Sequence, residues 1–215
     1  QNYTKMYEYY EKAASLDNIP ALYNLGISYE TGIGVEQDFN KMLKYLEKAA
    51  ELGDSAALYK LGSLYFKGKG VEQNYSKMIE YYEKAAELGN SNAMYDLGIC
   101  YENGDGVDKD YGKMIEYYEK AAELGDTDAL NALGLLYQRG EKVEQNYSKM
   151  IKCFERSGEL GNPAALITLA YCYSSGLGVD QNYSKMIECY EKAVDLGDSD
   201  GLYCLGVCYE QGLGV

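Results

Sequence analysis

Lysine followed by methionine recurs at Lys5-Met6, Lys41-Met42, Lys77-Met78, Lys113-Met114, Lys149-Met150 and Lys185-Met186. Tyrosine keeps the same 36-residue spacing at Tyr29, Tyr65, Tyr101, Tyr137, Tyr173 and Tyr209. Six registers without an insertion make the chain a tandem array, one residue short of six periods in its 215. A repeat this short cannot bury its apolar side alone, so neighbouring copies must stack and seal one another.

Each period reads as two helices. In the first, Ala21, Leu22, Leu25, Gly26 and Tyr29 share one face at helical spacing. Asn18, Asp54, Asn90, Asp126, Asn162 and Asp198 precede the six copies as N-caps, and Gly32, Gly68, Gly104, Gly140, Gly176 and Gly212 stop them. A second loop glycine and a valine follow in five copies (Gly34-Val35, Gly70-Val71, Gly106-Val107, Gly178-Val179, Gly214-Val215), the valine plugging the gap between helices. The second helix, typified by 75–88, carries Met78, Tyr82, Ala85 and Ala86 inward and pairs Glu80 with Lys84 outward. Mid-helix glycines at 26, 62, 98, 134 and 206 each cost roughly 1 kcal/mol against alanine, which predicts close approach of a bulky neighbour, one of the second-helix tyrosines. Ala170 replaces this glycine once, predicting a looser contact there.

The spacing therefore predicts an all-α, right-handed α/α superhelix of antiparallel helix pairs, one array over 1–215. Residues 1–17 hold the second helix of a truncated repeat. Full repeats occupy 18–53, 54–89, 90–125, 126–161 and 162–197, and 198–215 holds a last first helix. Opening inside a second helix without an initiator Met, and stopping in a loop, the chain reads as a piece of something longer.

Composition excludes several function classes. Asp and Glu number 34 against 20 Lys and Arg, a net charge of −14, the wrong sign for a nucleic-acid surface. No apolar run reaches the roughly 20 residues of a membrane-crossing helix. Histidine is absent, removing the usual general base and the commonest metal ligand. No catalytic residue, cofactor or metal is expected. The Gly-x-Gly loops follow helices rather than strands and lack the third glycine of a dinucleotide site.

The pattern Ala93, Leu97-Gly98, Tyr101, Gly104, Gly106-Val107, Tyr111, Lys113, Tyr117-Tyr118, Lys120-Ala121-Ala122, Gly125 resembles the Sel1-like repeat, a cousin of the tetratricopeptide repeat with a longer inter-helix loop. The resemblance implies a non-enzymatic adaptor or scaffold, since relatives serve in endoplasmic-reticulum quality control, cell-wall regulation and bacterial contact with host cells. The fifth copy departs most: Lys142 replaces the second loop glycine, and Ser157-Gly158 stand where Ala-Ala is expected. A cysteine-rich branch of the family clips its helices with disulfides at the phases of Ala14 and Leu22. None of Cys100, Cys153, Cys172, Cys189, Cys204 and Cys208 falls there; Cys153 and Cys189 instead replace a repeat tyrosine, which fits small buried hydrophobes. Four Asn-Tyr-Ser/Thr sequons, at Asn2, Asn74, Asn146 and Asn182, are either glycan acceptors or second-helix caps.

One stripe of the first helix escapes the repetition. Its candidate partner-binding residues are Asn24, Ile27, Thr31, Lys60, Ser63, Lys67, Asp96, Ile99, Asn103, Leu135, Arg139, Thr168, Tyr171 and Ser175. First helices of such solenoids line the concave side, so the stripe reads either as a groove for a protein or peptide ligand or as solvated surface under no constraint. Reversing Lys60 and Lys67 together is expected to alter binding without lowering stability. The alternatives are a hydrolase-like or small-molecule-binding member of the cysteine-rich branch, and a plain spacer. The chain is expected to be a monomer without membrane insertion, in the cytoplasm or in a secreted or lumenal location.

Overall fold

Helices of both units start where a side-chain oxygen replaces a missing backbone acceptor. Asn18 Oδ1 accepts from the Ala21 N–H at 3.0 Å, and Asp54, Asn90, Asp126, Asn162 and Asp198 repeat the arrangement. Asn2, Asp38, Asn74, Asn146 and Asn182 cap second helices in the same way, so the four sequon asparagines are N-caps. Each first helix ends on a glycine with φ between 65° and 84°.

The computed structural model describes residues 2–214; Val215, of the last Gly-Val pair, and Gln1, of the first segment, lie outside the described residues. Among the described residues are twelve α-helices and no strand, as the period predicts. They fall into two compact units that divide between Asp110 and Tyr111. The first unit contains α1 (Tyr3–Ala14), α2 (Ile19–Thr31), α3 (Phe39–Glu51), α4 (Ser55–Lys67), α5 (Tyr75–Glu87) and α6 (Ser91–Asn103). The second contains α7 (Tyr111–Glu123), α8 (Thr127–Arg139), α9 (Tyr147–Glu159), α10 (Pro163–Ser175), α11 (Tyr183–Asp195) and α12 (Ser199–Gln211). Even-numbered helices are the first helices of repeats, odd-numbered the second.

Within each unit every helix packs on its neighbours in sequence, so α3 is held between α2 and α4, and α9 between α8 and α10. The core is this interleaving. Ala14, Leu22, Leu25, Met42, Leu46, Ala57 and Leu61 form one buried cluster running through α1 to α4. The apolar stripe of each pair is thus closed by the next, and at ~25 cal/mol per Å² buried this contact supplies most of the stability. Val35 and Val71 pack partly buried against it, as plugs of the inter-helix gap.

Three of the mid-helix glycines answer the prediction, whereas Gly206 has nothing within 4 Å of where its Cβ would stand. A Cβ on Gly62 would stand 2.5 Å from the Tyr82 ring, on Gly134 2.7 Å from Phe154, and on Gly26 2.7 Å from Leu46. Those three side chains are 3%, 2% and 0% exposed. At the corresponding register Ala170 is fully buried and Tyr190 half-buried.

The loops are pinned by bonds that the sequence did not announce. Asn74 N–H donates to the Tyr65 carbonyl and Asn182 N–H to that of Tyr173. Gln37, Gln73, Gln145 and Gln181 each donate a side-chain N–H to the carbonyl seven residues before, in the last turn of the first helix. Orphaned helix-end acceptors are satisfied this way. The second loop glycine seats the loop on the residue that begins the preceding second helix: a Cβ at Gly106 would meet Tyr75 Cβ at 2.9 Å, at φ 76°. Lys142 avoids the left-handed region and lays its Nζ over the Tyr111 ring, 5.6 Å from the centroid, so this loop departs from its glycine-bearing counterparts.

Candidate interaction surface

The variable stripe of the first unit runs along α2, α4 and α6. Lys67 and Asn103 are exposed, while Asn24, Ile27 and Ile99 are half-buried. Thr31 Oγ1 donates to its own helix, at the Ile27 carbonyl. Three members are engaged within the fold. Tyr82 of α5 crosses over Gly62, and its hydroxyl meets Ser63 Oγ at 3.3 Å and the Asp96 carboxylate. Burial first, then the Asp96 charge, pushes the Tyr82 phenol far above its ordinary pKa of 10, while the Ser63 hydrogen bond opposes them. Tyr59 stacks on the same ring at 5.5 Å between centroids. A tyrosine of the scaffold thus ties the α4 stripe to the α6 stripe, bringing Ser63 and Asp96 together.

Lys60 is the third engaged position. Its Nζ lies 2.7 Å from Glu30 Oε2, and Lys69 Nζ lies 3.1 Å from Oε1 of the same carboxylate. Glu30 is 6% exposed. Burial alone would raise its pKa; the hydrogen bonds and charges of Lys60 and Lys69 outweigh it, and the net shift is downward. This corrects the expectation for Lys60→Glu. Putting a carboxylate against buried Glu30 lowers stability, because the two like charges share a poorly solvated site. Neither Glu30 nor Lys69 stood out in the sequence, since their partners lie 30 and 39 residues away.

In the second unit the stripe divides differently. Thr168 Oγ1 and Ser175 Oγ turn back to the carbonyls of Ala164 and Tyr171. Leu135, 39% exposed, Tyr171, 57% exposed, and exposed Arg139 project outward. Two apolar side chains and a guanidinium thus face solvent in this unit.

The recurring lysines, marked by repetition alone, have a structural use. Lys41, Lys77, Lys149 and Lys185 hold their ammonium groups 4.8–5.1 Å above the rings of Tyr29, Tyr65, Tyr137 and Tyr173. All six cysteines carry free thiols, four of them buried and Cys153 and Cys204 half-buried. Burial pushes the Cys153 and Cys189 thiols up to about 11 and that of Cys100 up to about 12. Such thiols stay protonated at neutral pH and are poor nucleophiles. Among the described residues no group of three or more Cys, Asp or Glu is placed to hold a metal ion, and no helix is long and apolar enough to cross a membrane.

Known proteins place this arrangement. The chain is similar to a protective antigen, c5321, of uropathogenic Escherichia coli, with a TM-score of 0.86 and 33% identity over 98% of its length. It spans 45% of that protein. It is also similar to a Sel1 repeat protein of Oxalobacter formigenes, with a TM-score of 0.84 and 28% identity, covering 98% of this chain and 86% of that one. No curated protein matches the sequence. The Sel1 repeat pattern matches residues 1–18, 19–54, 55–90, 91–126, 127–162, 163–198 and 199–215. From end to end, the chain belongs to the Sel1 repeat family.

Proposed function

We propose that the chain is a scaffold that binds a protein or peptide segment along its first-helix faces. Sel1 repeats generally serve as protein-interaction scaffolds and are typically non-catalytic. The observation that carries the finer reading is the contrast between positions. Leu25, Leu61, Leu97, Leu133 and Leu169 repeat and are buried, whereas Ile27, Ser63, Ile99, Leu135 and Tyr171, two residues on, take four residue types and are half-buried or exposed. A scaffold fixes the first set and leaves the second to suit a ligand.

Leu135, Tyr171 and Arg139 are the anchors in the second unit, and Ile99, Asn103 and Lys67 in the first. The ligand that suits them presents apolar side chains with an acidic group toward Arg139 or Lys67. A hydrolase reading has no observation in its favour, since the thiols are raised rather than lowered in pKa.

Photo-reactive side chains at Tyr171 and Asn103, with Glu83 on a second helix as control, test the reading by cross-linking in native extract. The partner is expected to be captured from the first two positions and not from the third. Once it is identified, Leu135→Glu with Tyr171→Glu should weaken its affinity at least tenfold at an unchanged melting temperature. Equal capture from Glu83, or full affinity in the double variant, would sink the proposal.

A further inference from the structure

A second set of openings lies between consecutive second helices, apart from the first-helix stripe. Four of them are equivalent by the 36-residue register. In the first unit, one is bounded by Glu11, Ala14, Leu22, Tyr45 and Lys48, and the next by Glu47, Ala50, Leu58, Tyr81 and Lys84. Their volumes are about 310 and 380 Å³. In the second unit the corresponding clefts contain Cys153 and Cys189 where these have Tyr45 and Tyr81, and they measure about 560 and 670 Å³. A further depression of about 550 Å³ is lined by α3 alone and belongs to no such set.

What fills the narrow pair is visible. Tyr45 stacks on Tyr29 with centroids 5.8 Å apart and planes 7° from parallel, and Tyr81 stacks on Tyr65 at 5.7 Å and 10°. With cysteine in place of the outer ring, the inner ring becomes part of the cleft wall. Leu133, Tyr137 and Lys149 line one wide cleft, and Leu169, Tyr173 and Lys185 the other, while their counterparts in the first unit do not line the narrow ones. The inner ring still carries its ammonium group, 4.9 Å from the Tyr137 centroid and 5.1 Å from that of Tyr173. Gly158 lines the larger cleft where the others have alanine, and Leu166 packs into the place its Cβ would take.

We infer that the clefts at Cys153 and Cys189 are binding sites for tyrosine side chains of another polypeptide, each ring taking the place that Tyr45 and Tyr81 fill elsewhere in the chain. The walls are already shaped for a phenol: a tyrosine face to stack on, leucines beneath, and a rim of Lys and Glu within reach of a hydroxyl. Offset stacking of aromatic rings is favourable beyond the area it buries. The protonated cysteines add no charge to the floor. A polypeptide is the source because two such clefts lie one repeat apart in the same unit. Packed helices stand on the order of 10 Å from one another, a distance that two to four residues of extended chain cover. A chain with closely spaced tyrosines engages both clefts and gains from the linkage.

The probes are N-acetyl-tyrosinamide, N-acetyl-leucinamide and p-cresol, titrated against the full chain and followed by NMR. N-acetyl-tyrosinamide is expected to bind saturably at two sites with Kd on the order of 1–10 mM, as suits a single side chain. N-acetyl-leucinamide should bind about tenfold more weakly. Cys153→Tyr with Cys189→Tyr should abolish binding, because the variant supplies its own rings, whereas Cys153→Ala with Cys189→Ala keeps the clefts open and retains it. If the double tyrosine variant fails to fold, Cys153→Tyr and Cys189→Tyr singly should each lower the stoichiometry from two to one. No saturable binding by about 50 mM, or undiminished binding in the tyrosine variants, overturns the inference. So does binding of p-cresol without N-acetyl-tyrosinamide, which would make the clefts sites for free phenols.

Discussion

The two units share a framework and differ in what is set into it. In the first, Tyr45 and Tyr81 close the openings between second helices, and Glu30 is clamped by Lys60 and Lys69. In the second, Cys153 and Cys189 leave the openings wide, and Gln138 and Ser174 stand at the position of Glu30. Yet every helix from α2 to α12 keeps thirteen residues, first helices of both units start on an Asn or Asp cap, and Leu, Met and Ala stay buried at shared positions. The repeat thus separates two jobs: the buried set holds the backbone, and the half-buried tyrosines and stripe residues can be exchanged without moving it. A surface can be carved into one unit while the other stays filled.

The largest effect should come from breaking the shared framework. Gly62→Leu would drive a side chain into Tyr82, where even a Cβ would lie at 2.5 Å, and is expected to cost about 3 kcal/mol through overpacking. Gly134→Leu, against Phe154, should cost a similar amount, and a melting temperature within error of wild type for either would contradict the seat assigned to these glycines.

Lys60→Glu probes a feature that only the first unit has. Breaking a pair around a buried carboxylate costs a few kcal/mol, and the remaining Lys69 should hold the loss to about 2 kcal/mol. The acid response follows from the direction of the Glu30 shift. A carboxylate whose folded pKa is lowered contributes stability that is present above its unfolded pKa and is lost as pH falls through the folded one. Acidification below the ordinary carboxylate range should therefore loosen the α2–α4 contact. Amide exchange in α2 and α4 should accelerate more steeply with acid than in α8 and α10, and a uniform response would refute the clamp.

Exchange of the cleft residues sharpens the comparison at a smaller scale. Tyr81→Cys should destabilise by about 1 kcal/mol through loss of a stacked ring, and Cys153→Tyr should stabilise by a similar amount. If Cys153→Tyr lowers the midpoint of urea unfolding, the cleft is not shaped for a ring. The smallest effect belongs to the altered loop. Lys142→Gly exchanges a cation over Tyr111 for the left-handed glycine of the other copies, and the opposing terms should leave stability within about 0.5 kcal/mol of wild type. A thermal melt would detect a larger change in either direction.

Much of the fold was legible because its determinants are local or periodic. The N-cap asparagines and aspartates act across two or three residues, and the apolar faces of α2 and α5 follow from 3.6-residue geometry. Gly62 and Gly134 advertised a close approach by their recurring cost, although only Gly62 meets a tyrosine: Gly134 meets Phe154, Gly26 meets Leu46, and Gly206 meets nothing within 4 Å. The candidate surface was legible only as a stripe. Variation between copies located it, but did not reveal that Lys60 holds Glu30 or that Ser63 and Asp96 share the Tyr82 hydroxyl. Those contacts join residues of different elements, so no spacing within one helix encodes them. The loop glutamines were missed for a related reason, since a side chain bonding a carbonyl seven residues back depends on how the intervening loop folds.

From sequence alone came the period, the helix pairs with their caps, the inward faces, and the family to which such a pattern belongs, because these rest on neighbours along the chain and on repetition. The paired openings at Cys153 and Cys189, the clamp on Glu30, and the division of the stripe between internal bonds and exposed side chains were decided by the tertiary structure. Stacking brings together side chains roughly one repeat apart. Whether such a meeting fills a space or leaves it open turns on three-dimensional volume and direction, which the linear order of residues does not carry.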